Sequence, residues 1–331
     1  MINDKILKGA YDLKAELNEH RRIGSLRGAS TGLTKADQFI SLKKGYPFMI
    51  GGIGGSGKTE LTFELIIQSI ILHKWRWLIL SPETGNAVEI YTYLISKLNR
   101  GKEFFKGEYS MNEKEYSKLL MWLQKYVKVL DVEDGWEDVM KGIDLNLSNY
   151  FAYIEKAEKK MGAKFDGLLI DPFNELDIDL DQSIMRTVKD ELKILLRHTK
   201  KNNYFTILTN HVNDVRSFNK KADDGTMFRY TPPAKKEEWA YGMQFSRKGY
   251  QMITMYEPHP HIVDELAAQG DVEMQHASMN DYNVREAIVQ KSKPNGVGKR
   301  GIFRLFWDWK MKRYYEVDDI GKKKSIKFPE L

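Results

Sequence analysis

The 331-residue chain predicts an α/β fold: a mostly parallel sheet flanked by helices, with a C-terminal antiparallel hairpin. Three observations predict it. Short apolar runs, among them FMI at 48–50, WRWLIL at 75–80, GLLI at 167–170 and YFTIL at 204–208, alternate with longer helix-prone stretches, the order that builds a parallel sheet. The runs are mostly apolar, as strands covered on both faces are. They are followed by polar residues, Glu83, Asp171 and His211, at the carboxyl ends where such sheets bind ligands.

Composition bounds the rest. A 42% hydrophobic content is enough for a substantial core, and no run approaches the roughly eighteen apolar residues of a membrane span. The most apolar helix, Leu61 to Leu72, is interrupted by Glu64 and Gln68. The N-terminal residues mix both charge signs and do not read as a secretory signal. With no cysteine, disulfides and cysteine zinc sites are excluded, in agreement with a cytoplasmic protein. A net charge of +6 permits a nucleic-acid partner, so where the charges lie matters more than their sum.

Taken in order, residues 2 to about 20 have helical spacing and form, with the start of a Gly/Ser/Thr-rich linker at 21–34, an N-terminal extension over 1–24. Such a helix docks either on its own domain or on a neighbouring subunit. A short helix at 36–42 leads to Pro47–Thr59, PFMIGGIGGSGKT. Here a strand feeds a glycine-rich loop that opens a helix, and Gly52, Gly57, Lys58 and Thr59 satisfy the phosphate-loop pattern. The residues Gly52, Gly54, Gly55, Ser56 and Gly57 let backbone N–H groups turn onto a polyphosphate at a helix N-terminus. Lys58 would reach the β- and γ-phosphates, and Thr59 would offer its hydroxyl to Mg²⁺.

Beyond this loop, 75–80 is a strand followed by Ser81-Pro82-Glu83, a carboxylate placed to activate water. Helices follow at 86–98 and within 102–125, a third strand at 126–132, and a further helix within 135–161. The strand before Asp171 ends on a carboxylate able to hold Mg²⁺, directly or through water. A long amphipathic helix spans 182–201, and the strand at 204–208 ends in Thr209-Asn210-His211, where a polar side chain could sense a γ-phosphate.

From 212 to 250 no strong period appears, and the segment reads as long and irregular, hence functional or disordered. Its basic residues Arg216, Lys220, Lys221, Lys235 and Lys236, with Phe218, Phe228 and Tyr230 between them, suit a nucleic-acid strand through phosphate contacts and stacking. Strands at 252–256 and 284–291 enclose a polar excursion. A basic turn, KSKPNGVGKRG at 291–301, precedes the closing hairpin at 301–307 and 314–317, and the basic tail over 319–331 reads as mobile.

This order of motifs resembles the RecA-like ATPase domain of ring-shaped replicative DNA helicases, the DnaB and Twinkle group, over about residues 25–318. The Gly-Lys-Thr loop matches the family's first motif. SPETG resembles the segment carrying its catalytic glutamate, here Glu83. LLIDPFNEL with Asp171 matches its second nucleotide motif, and TNHVND with His211 its phosphate-sensing tip. QKSKPNGVGKRG resembles the basic turn that reaches a neighbouring subunit's ATP site, with Lys291 and Lys293 acting in trans.

The resemblance implies a P-loop NTPase core, ATP and Mg²⁺ as cofactors, and hydrolysis coupled to unwinding on single-stranded DNA in replication. It also implies a homo-hexamer with ATP between subunits, and a DNA-contacting loop after His211. Lys293 stands where the family has an arginine finger. A lysine lacks the planar fork of guanidinium, so either Lys293 suffices, Arg300 takes the role, or turnover is weak. Nothing resembles a primase module, so a primase partner would be a separate protein. The alternatives are a RecA- or KaiC-like ATPase that binds DNA or protein without unwinding, and an inactive nucleotide-dependent clamp or loader partner.

Overall fold

A computed structural model describes residues 8–330 except 24–26, 106, 108, 133–143, 178–182 and 214. Its frame is one nine-stranded sheet. The parallel part comprises β1 (Pro47–Gly52), β2 (Trp77–Leu80), β3 (Val127–Val129), β4 (Gly167–Ile170), β5 (Phe205–His211) and β8 (Gln251–Tyr256). To the free edge of β8 are added β9 (Val284–Ser292), β10 (Gly301–Asp308) and β11 (Arg313–Tyr315), all antiparallel. The order across the sheet is β11-β10-β9-β8-β1-β5-β4-β2-β3. The closing hairpin expected from the sequence is thus β10–β11, and it extends the main sheet.

Both faces are covered, which is why the central strands are mostly apolar on both faces. Phe48, Ile50, Trp77, Ile79, Phe205 and Ile207 pack on one face beneath α2 (Lys58–His73), α3 (Ala87–Leu98) and α4 (Glu113–Tyr126). Met49, Leu78, Leu80, Leu168, Ile170 and Leu208 pack on the other, beneath α5 (Leu147–Met161), α6 (Ile184–Asn202) and α7 (Gly242–Lys248). Local chemistry starts several of these helices. Asn86 and Glu89 form a reciprocal cap on α3, and Asn112 and Glu115 do the same on α4.

One buried ion pair ties the start of the chain to its end. Arg313 on β11 meets Glu64 of α2 through two bonds of 2.5 and 2.6 Å, with neither side chain more than 1% exposed. Burial alone would raise the Glu64 pKa, but the Arg313 guanidinium outweighs it and holds the carboxyl below its ordinary value. Lys97 of α3 joins the cluster through Glu60 and the Lys312 carbonyl.

Several expectations change. Among its described residues, the stretch 212–250 is not irregular: it contains a two-stranded hairpin, β6 (Phe218–Lys221) with β7 (Met227–Tyr230), and then α7. Pairing across the hairpin, with Phe218 opposite Tyr230 and Lys220 opposite Phe228, supplies an order that single-residue periodicity does not reveal. The polar excursion after β8 holds two helices, α8 (Pro260–Ala268) and α9 (Val272–Ser278), which bury Val263, Met274 and Ala277 against Phe306 and Val317. Nor is the tail loose. Lys324 N–H bonds the Glu316 carbonyl, Arg100 donates to the Pro329 carbonyl, and Phe328 lies under the Arg100 and Arg313 guanidiniums. The linker is woven in from Ala29 onward, where Ala29 and Leu42 exchange backbone bonds. In the N-terminal helix, α1 (Lys14–Ile23), the described side chains, Lys14–Arg22, are all exposed; residues 2–7 lie outside the described residues.

Candidate functional site

The phosphate loop joins β1 to α2 at the carboxyl end of the parallel strands. Gly57 caps α2 at φ 90°, a left-handed conformation that favours glycine. A Cβ there would also lie 2.2 Å from the Tyr314 hydroxyl, so Tyr314 closes the loop from the side. Gly54 and Gly55 face open space, with nothing within 4 Å of an added Cβ. The Ser56 hydroxyl is buried without a hydrogen-bond partner. Lys58 folds back onto the loop and donates to the Gly52 and Ile53 carbonyls at 3.0 and 3.1 Å. Burial lowers its pKa, against the opposing pull of Glu83 and Asp171. An open cradle, a buried orphan hydroxyl and a buried cation fit a polyphosphate.

Asp171 directly follows β4 and is fully buried. Its Oδ1 accepts from Thr209 Oγ1 at 2.5 Å and its Oδ2 from Ser81 Oγ at 2.8 Å, so hydroxyls from both neighbouring strands fix the carboxylate plane. Burial raises its pKa, and those two hydrogen bonds oppose the rise. Each carboxylate oxygen keeps lone pairs beyond these bonds, so Asp171 retains the capacity to hold Mg²⁺. Glu83 lies in a turn at Pro82–Thr84 with its side chain half-exposed, and its Oε2 is 3.3 Å from His211 Nε2 at the tip of β5. Lys58, Asp171, Glu83 and His211 are therefore brought to one end of the sheet, as the sequence predicts.

Lys291 and Lys293 are not brought there. Strand β9 runs against β8, with Gln251 opposite Ser292 and Tyr256 opposite Glu286, so its end lies at the amino end of the sheet. That is roughly 15–20 Å from the phosphate loop, at about 3.3 Å per residue. Lys293 is exposed on the turn, whereas Lys291 donates to the Ser246 carbonyl at 2.6 Å. Burial and the neighbouring Lys293 and Lys236 lower the Lys291 pKa. Arg300 is exposed on the same turn.

Three of the basic residues that suit nucleic-acid contacts also part company. Arg216 and Lys221 are exposed. Lys220 faces inward: it pairs with Glu265 at 3.1 Å and lies over the Phe228 and Tyr230 rings, so its charge is already engaged. The outward face of the hairpin carries Lys221, Met227 and Arg229. Sequence reasoning misses Arg229, whose place opposite Asn219 follows only from the pairing register. It also misses Ser81 and Thr209, although both lie within two residues of Glu83 or His211. Nothing in the local sequence points to Tyr314.

No family model and no curated protein matches the chain. Solved structures do. A DnaB-like replicative helicase, described with its interactions with primase, aligns over 93% of this chain and 67% of its own, with a TM-score of 0.63 at 13% identity. A second solved structure, an ATPase domain by itself, aligns over 92% of this chain and 98% of its own, with a TM-score of 0.60 at 12% identity. The chain has the RecA-like α/β fold of these two structures. At these identities the likeness speaks for the fold, and the activity has to be argued from the residues.

Proposed function

We propose that the protein is an ATP-driven translocase that unwinds DNA by moving on a single strand as a homo-hexameric ring. The observation that carries this reading is the separation of two half-sites. Lys58, Thr59, Glu83, Asp171 and His211 lie at one end of the sheet, and the basic turn with Lys291 and Lys293 lies at the other. A turn so placed reaches a phosphate loop only on another copy. Contacts joining opposite ends of identical subunits are head-to-tail, and they close into rings when the rotation permits. In this reading Lys58 binds the phosphates, Thr59 and Asp171 hold Mg²⁺, Glu83 orients the attacking water, and His211 senses the γ-phosphate. Magnesium, when bound, would neutralise charge on the phosphate oxygens.

Single-stranded DNA would follow Arg216, Lys221 and Arg229, with Lys220 keeping the hairpin in place. The exposed helix α1 would dock on the neighbouring subunit. A separate primase is a candidate partner, since one of the similar helicases is described with its primase. The same head-to-tail geometry also supports a second reading, a RecA- or KaiC-like ATPase that forms open filaments, because an unclosed rotation gives a filament. The deciding experiment is ATP hydrolysis with and without single-stranded DNA, alongside the mass in solution. A hexamer whose hydrolysis rises with DNA supports the helicase reading. Filaments support the second, and a monomer indifferent to DNA overturns both.

A further inference from the structure

Asn210, Gly51 and Thr254 form a row across β5, β1 and β8 at one level of the sheet. In-register parallel residues point to the same face, so two polar side chains flank a place where Gly51 has none. Trp239, fully buried, fills that place, and a Cβ added to Gly51 would lie 2.2 Å from its indole ring. The indole N–H donates to Thr254 Oγ1 at 3.2 Å. Gln290 of β9 donates to the same hydroxyl at 2.7 Å and to the Ala234 carbonyl at 2.6 Å, and it accepts from the Lys236 N–H. Next to Trp239, the Ala240 carbonyl accepts from Asn210 Nδ2 at 2.7 Å, and the Ala240 N–H donates to the His211 carbonyl at 2.9 Å.

The β6–β7 hairpin is an excursion whose two ends are clamped together here, by the Val212–Trp239 bridge and by Asn213 N–H on the Glu238 carbonyl. Its root is therefore fastened to the strand that opens the phosphate loop, to the strand tip bearing His211, and to the strand bearing Lys291. A ring in close contact with backbone cannot absorb a shift smoothly, because packed interiors transmit displacement. Movement of Gly51 and Gly52 as the loop accepts phosphates would carry the indole with it, and with the indole the hairpin root.

We propose that Trp239 is a positioning residue that couples occupancy of the phosphate loop to placement of the hairpin, with Thr254 and Gln290 fixing the angle of its ring. The proposal rests on the ATP- and DNA-dependent function argued above. Trp239 touches loop backbone and no reacting group, so its removal acts on coupling more than on basal chemistry. Coupling is reciprocal: whatever factor ATP applies to DNA affinity, DNA applies to ATP affinity.

The test measures two ratios on the full chain: hydrolysis with over without single-stranded oligonucleotide, and oligonucleotide affinity with over without a non-hydrolysable ATP analogue. Trp239→Leu is expected to reduce both ratios about tenfold, within the usual range of coupling, while hydrolysis without DNA stays within about twofold of wild type. Trp239→Phe, which keeps a ring on Gly51, is expected to restore most of the loss. Should Trp239→Leu fail to fold, Thr254→Val decides, with an expected fall of about threefold in both ratios. A purely structural role would lower the melting temperature and leave the ratios unchanged, and that result in a folded variant overturns the inference alone. A wild-type protein with both ratios near one overturns the inference together with the function it rests on.

Discussion

The phosphate loop takes its shape from consecutive residues at 51–59, whereas the hairpin segment at 213–241 takes its shape from partners far along the chain. In the loop, glycines permit the turn and Lys58 bonds carbonyls five and six residues back. In the hairpin segment, Lys220 answers to Glu265, Phe228 stacks on His259 at 4.4 Å, and Trp239 rests on Gly51. A local device is complete once its residues are adjacent. A distant one requires the rest of the fold, so it can be displaced without dismantling the site it serves. That difference suits a site in which a small shift at the nucleotide end is passed to a nucleic-acid end that moves as a unit.

The largest effect of substitution is expected at the nucleotide end. Glu83→Gln should lower hydrolysis by about 10²–10⁴-fold, the usual loss for a positioned base, while a fluorescent ATP analogue binds as before. Unchanged turnover would remove Glu83 from the chemistry. Arg313→Met should cost about 3–5 kcal/mol in urea unfolding, because it strands the buried Glu64 carboxylate. A stability near wild type would mean that the phosphate-loop helix stands without its distant anchor.

At the hairpin, replacing Lys221 and Arg229 by alanine should flatten the salt dependence of single-stranded DNA binding. The log–log slope should become shallower by about 0.7 for each phosphate that is no longer neutralised. An unaltered slope would take the outer face of the hairpin off the DNA path.

The smallest effect concerns pH. His259 accepts the His261 N–H through Nδ1, stacks on Phe228, and has His261, Lys220 and Glu265 around it, with Asp224 near His261. Burial, and then His261, hold its pKa below the ordinary 6.5. The neutral form therefore belongs to the docked hairpin. That contribution is present above 6.5 and is lost as pH falls through the lower folded value. Amide exchange at Met227–Tyr230, corrected for intrinsic rate, should accelerate between about pH 7 and pH 5. His259→Gln should remove most of the dependence, and an equal dependence in that variant would exclude His259 as its source.

How far the site is legible in the sequence follows the same division. Gly52 to Thr59 are readable because glycine geometry, a charge and a helix start occur together in a few residues. Asp171 and Glu83 are readable because apolar strands lead to them. Ser81 and Thr209 fix the Asp171 carboxylate from two different strands, and neighbouring positions in sequence do not disclose that strands β2, β4 and β5 lie side by side. Lys220 reads as a free charge because its partner, Glu265, sits in a segment that shows only polarity. The α8–α9 pair escapes notice for the same reason: these short helices bury few residues, and those pack against Phe306 and Val317.

Residues 47–59, the apolar central strands and the capped helices were determined by local chemistry: backbone freedom at glycine, side-chain period and side-chain capping act within a few residues. The strand order, the meeting of Asp171 with Ser81 and Thr209, the Glu64–Arg313 pair and the seat of Trp239 on Gly51 were decided only by tertiary structure. Each of these requires groups tens to hundreds of residues apart to be desolvated together. Their free energy depends on a shared environment that none of those residues creates alone.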